Sequence, residues 1–404
     1  VKRLFRELDT NTQTEPFSVV GIGDMSGDVF GNGLLLSRQI RLIGAFNHLH
    51  IFIDPDPDPE ISFAERKRLF QIPRSNWTDY DTKVISEGGG VWPRDVKSIE
   101  LSEAARKALG ISAKTLSPDE LIQEMLKSPV DLLFNGGIGT YVKAATETHE
   151  SVGDRVNDMV RVDGSELRCR VIGEGGNLGL TQLARIEYSR LGGLCHTDAI
   201  DNAAGVDTSD HEVNIKILLN GAVDAGEISV QDRNNLLREM TEEVAQLVLR
   251  NNYMQTQALA LAVDRAPSLI HHHARALRQL EQNYGLDRSL EYLPGEEEIK
   301  ERILQKKGLT RPELAVLLSH SKISTFQILL DSDVPEDTFL AEDLERYFPT
   351  ALSPRFKGFM ANHRLRREII ATHVTNSMIN RVGPGFTLRM NELTGARPAE
   401  TARA

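Results

Sequence analysis

The residues best suited to chemistry near the start of the chain are two glycines in a short turn, Gly21-Ile-Gly23. The apolar run FSVVGI leads into the turn, and a segment with apolar residues near helical spacing follows it. In a strand–turn–helix unit of this kind, backbone N–H groups and the helix N-terminus bind a pyrophosphate. The third glycine of the usual motif is displaced to Gly27, so the motif alone is a weak signal. Asp24 and Met25 complete the turn and belong to the candidate site.

A second candidate is Asp54, the last residue of the apolar run HLHIFID. If this run is the second strand, Asp54 lies where a carboxylate accepts hydrogen bonds from a ribose 2′-hydroxyl. A carboxylate there repels a 2′-phosphate, and Asp56 and Asp58 add to the repulsion. The pattern therefore favours NAD over NADP, although Asp56 and Asp58 equally fit a solvated loop. A calcium loop starting at Asp54 is disfavoured because Pro59 stands where glycine must turn sharply, and no metal site is predicted.

The bulk composition limits the possible partners. The chain has 404 residues and a formal net charge of −11, which disfavours binding to nucleic acid or to an anionic membrane. No apolar run approaches the roughly 20 residues that span a bilayer. The two cysteines, Cys169 and Cys195, are too few for a disulfide framework and fit a reducing compartment. We therefore expect a cytoplasmic protein, and the abrupt start at Val1 suggests part of a longer polypeptide.

Two halves with different patterns are predicted. In residues 1–225, short apolar runs alternate with helical patterns, which predicts a Rossmann-like, doubly wound, mostly parallel α/β sheet. The strand candidates are FSVVGI, HLHIFID, VDLLFN, RCRVIG and GLCHTDAI. Helices are predicted within residues 27–47 and from the capping box at Ser117, and residues 71–98 are predicted to be a long irregular excursion.

Residues 226–404 are predicted to form an all-helical C-terminal domain. The stretch ISVQDRNNLLREMTEEVAQLVLR places its apolar residues on one helical face, and Thr310-Arg-Pro-Glu313 is a second capping box. The tail after Pro384 is weakly patterned and is predicted to be partly disordered.

Two later segments, VIGEGGNLGLT and DAIDNAAGVDTSDHEVNIK, resemble the cofactor-domain motifs of glutamate and related amino-acid dehydrogenases. Glu174-Gly-Gly-Asn177 is similar to their Glu-Gly-Ala-Asn element, and Asn202-Ala-Ala-Gly-Val206 to their Asn-Ala-Gly-Gly-Val element. The strings GDMSGDVFGNG and EGGGVWPRDVKSI more specifically resemble the large, bacterial-type NAD-specific glutamate dehydrogenases. This resemblance extends over essentially the whole chain.

The resemblance implies NAD-dependent oxidative deamination of L-glutamate to 2-oxoglutarate and ammonia by a homo-oligomeric enzyme. It assigns Asn177 and Asn202 to the nicotinamide end of the cofactor, and Gly136 and Gly137 to close passage of the backbone beside adenosine or ribose. It aligns Ser209 with a serine that holds the substrate carboxylate. From the residues alone, Asn177 and Asn202 equally fit Asx turns that end strands.

One departure from the family pattern affects the predicted activity. The catalytic lysine and aspartate of the family lie upstream of the cofactor domain in a Gly-Gly-x-Lys-Gly setting, and no such motif occurs in this sequence. We therefore expect the catalytic residues in upstream domains of the same polypeptide, and we expect the isolated chain to be inactive. Two alternatives remain open: a dehydrogenase for another amino acid, and an NAD-binding regulatory or scaffold module without catalysis.

Overall fold

The computed structural model describes residues 1–353 and 355–403 of the chain, which divides into two compact units, Val1–Asn202 and Ala203–Ala404. Each unit has its own hydrophobic core. The division falls before the predicted boundary after residue 225, because the helix Ala203–Asp224 belongs to the second unit.

The first unit is built around a six-stranded sheet. The strands of the unit are β1 Phe17–Ile22, β2 Ile40–Phe46, β3 His50–Ile53, β4 Gly90–Pro93, β5 Ile99–Glu100, β6 Thr115–Leu116, β7 Leu132–Asn135, β8 Val142–Lys143, β9 Val162–Asp163 and β10 Val171–Glu174. Strands β5 and β6 form one separate two-stranded sheet, and β8 and β9 form another. The sheet has the order β10-β7-β1-β2-β3-β4. The first four strands in this order are parallel, whereas β3 and β4 are each antiparallel to the preceding strand. The predicted mostly parallel sheet is therefore confirmed.

Strand β2 corrects the prediction that residues 27–47 carry only a helix. The helix Asp28–Leu35 ends before Ser37, and the following run IRLIGAF is a strand that is buried along almost its whole length. A strand covered on both faces reads as a continuous apolar run, so its period does not distinguish it from a buried helix. Ile40 and Ile43, whose mutual spacing also fits a helix, therefore lie on β2.

The helices of the first unit have 4 to 13 residues; the first helix precedes β1 and the last two follow β10. They are α1 Lys2–Arg6, α2 Asp28–Leu35, α3 Pro59–Gln71, α4 Glu103–Leu109, α5 Pro118–Leu126, α6 His149–Val152, α7 Gln182–Arg190 and α8 Asp198–Asp201. The predicted capping box opens α5: Ser117 accepts a hydrogen bond from the Glu120 N–H, and the Glu120 carboxylate accepts one from the Ser117 N–H at 2.8 Å.

The predicted strand GLCHTDAI is wrong. An isolated bridge joins Leu194 to Val171, and α8 begins four residues later at Asp198. Glycine precedes this segment, and Thr197 followed by Asp198 is typical of a helix start, so little room is left for a strand.

The excursion between α3 and β4 supplies core residues as well as loop. Trp77 is fully buried, stacks on Phe52 with ring centroids 4.8 Å apart, and contacts the edge of Phe30 at 5.9 Å. Its Nε1 donates a hydrogen bond of 2.9 Å to the carbonyl of Gly23. The excursion therefore connects the glycine turn to the core, and it returns to the sheet as β4.

All regular elements among the described residues of the second unit are helices, as predicted. Its helices are α9 Ala203–Asp224, α10 Val230–Glu239, α11 Thr241–Tyr284, α12 Glu296–Leu304, α13 Arg311–Leu330, α14 Ala341–Tyr347, α15 Lys357–Ala361, α16 Arg366–Val382, α17 Phe386–Thr394 and α18 Pro398–Arg403. The capping box at Thr310 and Glu313 opens α13 as predicted. The tail after Pro384, predicted to be partly disordered, forms α17 and α18 instead.

The longest helix, α11, has 44 residues. None of the helices in the described part of the chain carries an apolar stretch sufficient to cross a membrane.

Both cysteines are unpaired and lie in the core of the first unit. The Cys169 sulfur is 3.6 Å from the Tyr188 hydroxyl, and the Cys195 sulfur is 3.5 Å from the Ser189 hydroxyl. Burial raises the pKa of Cys169 to about 11 and that of Cys195 to about 12, so both thiols remain protonated at neutral pH.

Replacing Phe30 with alanine should destabilise the first unit by about 3–5 kcal/mol, because a fully buried aromatic ring leaves a cavity. Urea unfolding followed by tryptophan fluorescence would measure this change, since both tryptophans, Trp77 and Trp92, lie in this unit. Leu36→Ala is the control because Leu36 is 66% exposed. Equal midpoints for the two variants would show that Phe30 is not a core anchor.

Candidate functional site

The carboxyl ends of the four parallel strands form one edge of the sheet. Glu174, Asn135, Ile22 and Phe46 are paired across β10, β7, β1 and β2, so the loops that follow them start side by side. The chain places β2 on one side of β1 and later adds β7 on the other side. Loops that leave a central strand in opposite directions create a crevice at this edge, where α/β proteins bind ligands.

The predicted glycine turn follows β1 and is formed around Phe30. A Cβ at Gly21 would lie 2.6 Å from the Phe30 ring, and one at Gly23 would lie 2.7 Å from it. Gly23 also has a φ of +138°, a conformation that side chains rarely adopt. Both glycines are therefore required by the packing of α2 on the sheet, whatever ligand the turn binds.

Asp24 occupies part of the N-terminus of α2. Its Oδ1 accepts hydrogen bonds from the Ser26 N–H at 3.0 Å and the Gly27 N–H at 3.2 Å. Its Oδ2 accepts a hydrogen bond of 2.9 Å from Asn47 Nδ2. The carboxylate therefore links the glycine turn to the residue that follows β2. The Met25 side chain is 2% exposed and packs in the core, so only the backbone of Met25 is available at this edge.

The structural premise for Asp54 as a ribose ligand is wrong. The strand before Asp54 is β3, which runs antiparallel to β2, and the Asp54 N–H donates to the Ile43 carbonyl beside the middle of β2. The Asp54 carboxylate is 1% exposed and accepts hydrogen bonds from the N–H and hydroxyl of Ser86. Burial raises its pKa above the usual value, and the Ser86 hydrogen bonds oppose that rise.

The two neighbouring acids also have local partners. Asp56 pairs with Arg41 at 2.5 Å, and Asp58 caps α3 by accepting hydrogen bonds from the N–H groups of Glu60 and Ile61. The residue that does lie at the carboxyl end of β2 is Asn47. It is 7% exposed, and its Oδ1 accepts hydrogen bonds of 2.8 Å from the N–H groups of residues 49 and 50.

The loops after β7 and β10 are in direct contact through glycines. Gly136 donates its N–H to the Ile22 carbonyl at 2.9 Å, and a Cβ on Gly136 would lie 2.8 Å from Phe30. A Cβ on Gly176 would lie 2.6 Å from the Gly137 carbonyl. The predicted glycines therefore let two loops and α2 approach one another at the edge of the crevice.

The structure brings together the two asparagines predicted to bind nicotinamide. Asn202 Nδ2 donates a hydrogen bond to Asn177 Oδ1. Asn177 is exposed and Asn202 is half-buried, so both are accessible from solvent. Ser209, the predicted substrate ligand, lies in the second unit on α9; it is exposed, and its hydroxyl donates to the Gly205 carbonyl of the same helix at 3.2 Å.

A buried charge network supports the loop that carries Asn177. The Glu174 carboxylate and the Arg185 guanidinium form two hydrogen bonds of 2.7 and 2.8 Å, with side-chain exposures of 1% and 4%. Asp198 lies 3.4 Å from Arg185 and accepts the N–H of Leu178 at 2.8 Å. The network therefore fixes both the start and the end of the 174–202 segment.

Burial opposes charge on both members of the Glu174–Arg185 pair. For Arg185 the pairing prevails and raises its pKa, so the guanidinium stays charged. For Glu174 burial prevails and raises its pKa to about 6, against the opposing effect of Arg185. Glu174 is therefore mostly ionised at neutral pH and depends on Arg185 for compensation.

Asp201 joins this network through the main chain. One of its oxygens accepts the Glu174 N–H at 3.0 Å, and the other lies 2.9 Å from His196 Nδ1. Although burial disfavours its charge, His196 and the Glu174 N–H lower the pKa of Asp201 below the usual value. Asn47, Arg185 and this His–Asp pair were not predicted from the sequence. The available signal for Asn47 was its position directly after a buried apolar run, whereas Arg185 and the His–Asp pair had no such local signal.

A cavity of about 830 Å³ opens beside the carboxyl end of β2. Its walls come from the residues after β2, the end of β4, the loop after β7 and the segment after α6; they include His48, Arg94, Ile138, Gly139 and Asn157. Gly139 has a φ of +125°, and a Cβ there would lie 2.4 Å from the Asn157 side chain. The cavity therefore lies between the two loops that flank the glycine turn.

A mostly parallel sheet with a glycine turn after its central strand is typical of the Rossmann-like class of α/β proteins. The chain belongs to the family described as Bacterial NAD-glutamate dehydrogenase, catalytic domain, which matches residues 1–262. A second family, described as Glutamate dehydrogenase, C-terminal, matches residues 306–404.

Curated relatives agree with this family. The chain is 54% identical over 404 residues to an NAD-specific glutamate dehydrogenase of Pseudomonas aeruginosa and 54% identical over 404 residues to one of Halomonas elongata. It is 50% identical over 409 residues to an NAD-specific glutamate dehydrogenase of Mycobacterium tuberculosis. All of this chain is covered in each comparison, and it spans 25% of the length of each relative.

Arg185→Met should destabilise the first unit by about 3–5 kcal/mol, because it leaves the Glu174 charge buried without a partner. The double variant Glu174→Leu/Arg185→Met should lose much less stability, since it removes both charges. Urea unfolding followed by tryptophan fluorescence would compare the two variants. A double variant as unstable as the single one would show that the loss comes from packing and not from uncompensated charge.

Proposed function

We propose that this chain forms the dinucleotide-binding part of an NAD-dependent glutamate dehydrogenase within a longer polypeptide. The reaction is the oxidative deamination of L-glutamate to 2-oxoglutarate and ammonia. The observation that carries the proposal is the switch-point crevice, where the loops after β1, β7 and β10 meet in a chain of this family. The names of the three relatives support a dehydrogenase and do not favour the scaffold alternative.

Each part of the crevice has a role in this proposal. The turn at Gly21 and Gly23 and the N-terminus of α2 seat the pyrophosphate, and the cavity beside β2 receives the adenine. Asn177 and Asn202 orient the nicotinamide, because an amide side chain can both donate and accept hydrogen bonds. The chemistry that bound NAD supplies is hydride acceptance.

The residues at the crevice fit a bound dinucleotide. The Asn135 Nδ2 atom at the end of β7 is buried and has no hydrogen-bond partner among the described residues, so a donor is available beneath the loop that carries Asn177. Gly137 is only half-buried and leaves the space above the end of β7 free of a side chain. The substrate end and the catalytic residues are assigned to upstream domains of the same polypeptide.

Discrimination against NADP is assigned to Asp24 and not to Asp54. The ribose of a dinucleotide is recognised at the end of the second parallel strand, where Asn47 lies. Asp24 Oδ2 is 2.9 Å from Asn47 Nδ2, so its negative charge faces the position of a 2′-phosphate. Asp54 is buried beside the middle of β2 and is too enclosed to act on a ligand.

Asp24→Asn should therefore strengthen NADPH binding relative to NADH binding by about tenfold, because it removes one nearby negative charge. Calorimetric titration of the chain with each nucleotide would measure the ratio. Asp54→Asn is the matched control, since it removes the same charge from a buried position and should leave the ratio unchanged. If the Asp54 variant changes the ratio and the Asp24 variant does not, the assignment is reversed.

The catalytic proposal requires the polypeptide in its full length. Asn202→Ala in that enzyme should reduce kcat/KM for NAD with L-glutamate by about five- to tenfold, because one hydrogen bond to the cofactor is lost. Asn11→Ala is the control, since Asn11 is exposed and only stabilises a local turn. A substrate panel of L-amino acids tests the alternative substrate, and the absence of any NAD-dependent turnover would overturn the proposed activity.

The cellular setting is part of the same proposal. The two unpaired cysteines support a cytoplasmic location, because thiols persist in a reducing compartment. The homo-oligomeric state rests on the family resemblance alone.

A further inference from the structure

A small cavity in the second unit is lined almost entirely by apolar and positively charged residues. It has a volume of about 90 Å³, well above the roughly 10–15 Å³ that one water molecule needs. Its walls come from α11, the end of α16, the turn Gly383-Pro384-Gly385 and the start of α17. The two glycines have φ values of +86° and +73°, so the turn can fold tightly against α11.

Three arginines line this cavity: Arg265, Arg381 and Arg389. No carboxylate from the described residues lines it with them. Arg381 also lines a second cavity together with Asp343, whose pKa its charge helps to lower, so it has a nearby acid. Arg381 donates to the Ser377 carbonyl at 3.3 Å, and Arg389 lies over the Phe386 ring at 5.5 Å. In a chain of net charge −11, Arg265 and Arg389 line one cavity with no carboxylate among its lining residues, so the cavity carries an excess of positive charge.

Many arginines elsewhere in the unit have carboxylate partners. Arg302 binds Glu313 at 2.6 Å, and Arg275, one turn along α11 from the cavity, binds Glu392 at 3.1 Å. Glu392 therefore already has a partner on the rim. The unit pairs these arginines directly with acids, whereas no carboxylate lines the cavity beside Arg265 and Arg389.

A buried histidine provides a second, independent observation. His273 lines the cavity, is 3% exposed, and its Nδ1 has no hydrogen-bond partner among the described residues. A buried polar atom without a partner is costly unless a ligand or water satisfies it. Burial, followed by the charges of His272 and Arg389, lowers the pKa of His273 to about 4, so the ring is neutral at pH 7. A neutral imidazole can offer an N–H to a ligand without adding repulsion.

The helix geometry at the cavity also favours an anion. Helix α17 starts at the cavity with Gly385 as its N-cap, and its first turn contains no acidic residue. The first N–H groups of a helix lack intrahelical partners and carry partial positive charge.

We propose that this cavity is a binding site for a small oxyanion, a phosphate or carboxylate group, held by Arg265, Arg381 and Arg389. His273 and the N-terminus of α17 complete the donor set. Leu261, Leu269 and Phe386 form an apolar part of the wall, and apolar surroundings strengthen the electrostatic attraction. The site lies wholly within the second unit and does not depend on the dinucleotide proposal.

The competing explanation is that the three arginines only cover apolar surface with their methylene groups. Calorimetric titration of the chain at low salt with inorganic phosphate and, separately, with succinate distinguishes the two. Saturable binding of phosphate alone identifies a phosphate site, and binding of succinate alone identifies a carboxylate site. Absence of binding by both probes would overturn the proposal.

Variants locate the binding. Arg389→Gln and Arg265→Gln should each weaken the bound probe by about tenfold, because each removes a charged hydrogen bond. Arg364→Gln is the matched control: Arg364 is exposed in the same unit and does not line the cavity. If Arg364→Gln weakens probe binding equally, the effect is one of overall charge, and the proposed site is wrong. Binding unaffected by Arg389→Gln would place the anion elsewhere, including the N-terminus of α2, and would equally overturn it.

His273→Phe separates a bound anion from simple packing. The substitution keeps a ring of similar size in the buried position, so thermal stability should change little. Probe binding should nevertheless weaken severalfold, because the ring nitrogen is lost. Unchanged affinity with unchanged stability would remove His273 from the donor set.

Discussion

The close approach of one helix to the sheet is the constraint on which the first unit depends. The Phe30 ring occupies the space that a Cβ would fill at Gly21, Gly23 and Gly136. Because Phe30 is fully buried and contacts Trp77 as well, a single side chain joins β1, β7 and the excursion before β4. Any side chain at these glycines would push α2 outward and open the crevice edge. Glycine is therefore required at these positions by internal packing, whether or not a ligand binds there.

This packing determines what the crevice can offer. With α2 held against the sheet, its N-terminus lies beside the ends of β1 and β7, and Asp24 reaches across to Asn47 after β2. On the other side, the Glu174–Arg185 pair holds the loop that presents Asn177 to Asn202. The parts proposed to hold the two ends of the dinucleotide are thus fixed by separate buried interactions, one mainly aromatic and one ionic.

The sequence predicted elements whose signals are local. The capping boxes at Ser117 and Thr310 act within one helical turn, so their residues were sufficient to place α5 and α13. Strand β2 was missed because a strand buried on both faces has no alternation of polar and apolar residues. That omission led to the wrong role for Asp54. Because β2 was missed, β3 was assigned as the second parallel strand, and Asp54 is the residue that follows β3. The Arg185 pairing was beyond prediction because its partner is brought near only by the fold.

The two buried cysteines allow the opening of the first unit's core to be measured chemically. Both cysteines lie in the unit that ends at Asn202, and the second unit has none. A protonated, enclosed sulfur reacts slowly with an alkylating reagent, so the rate of modification follows the population of molecules in which this core is exposed. Ligands that close the crevice would slow the modification, whereas anions that act only within the helical unit would leave it unchanged. One chemical reaction thereby separates the energetics of two units that a melting curve would merge.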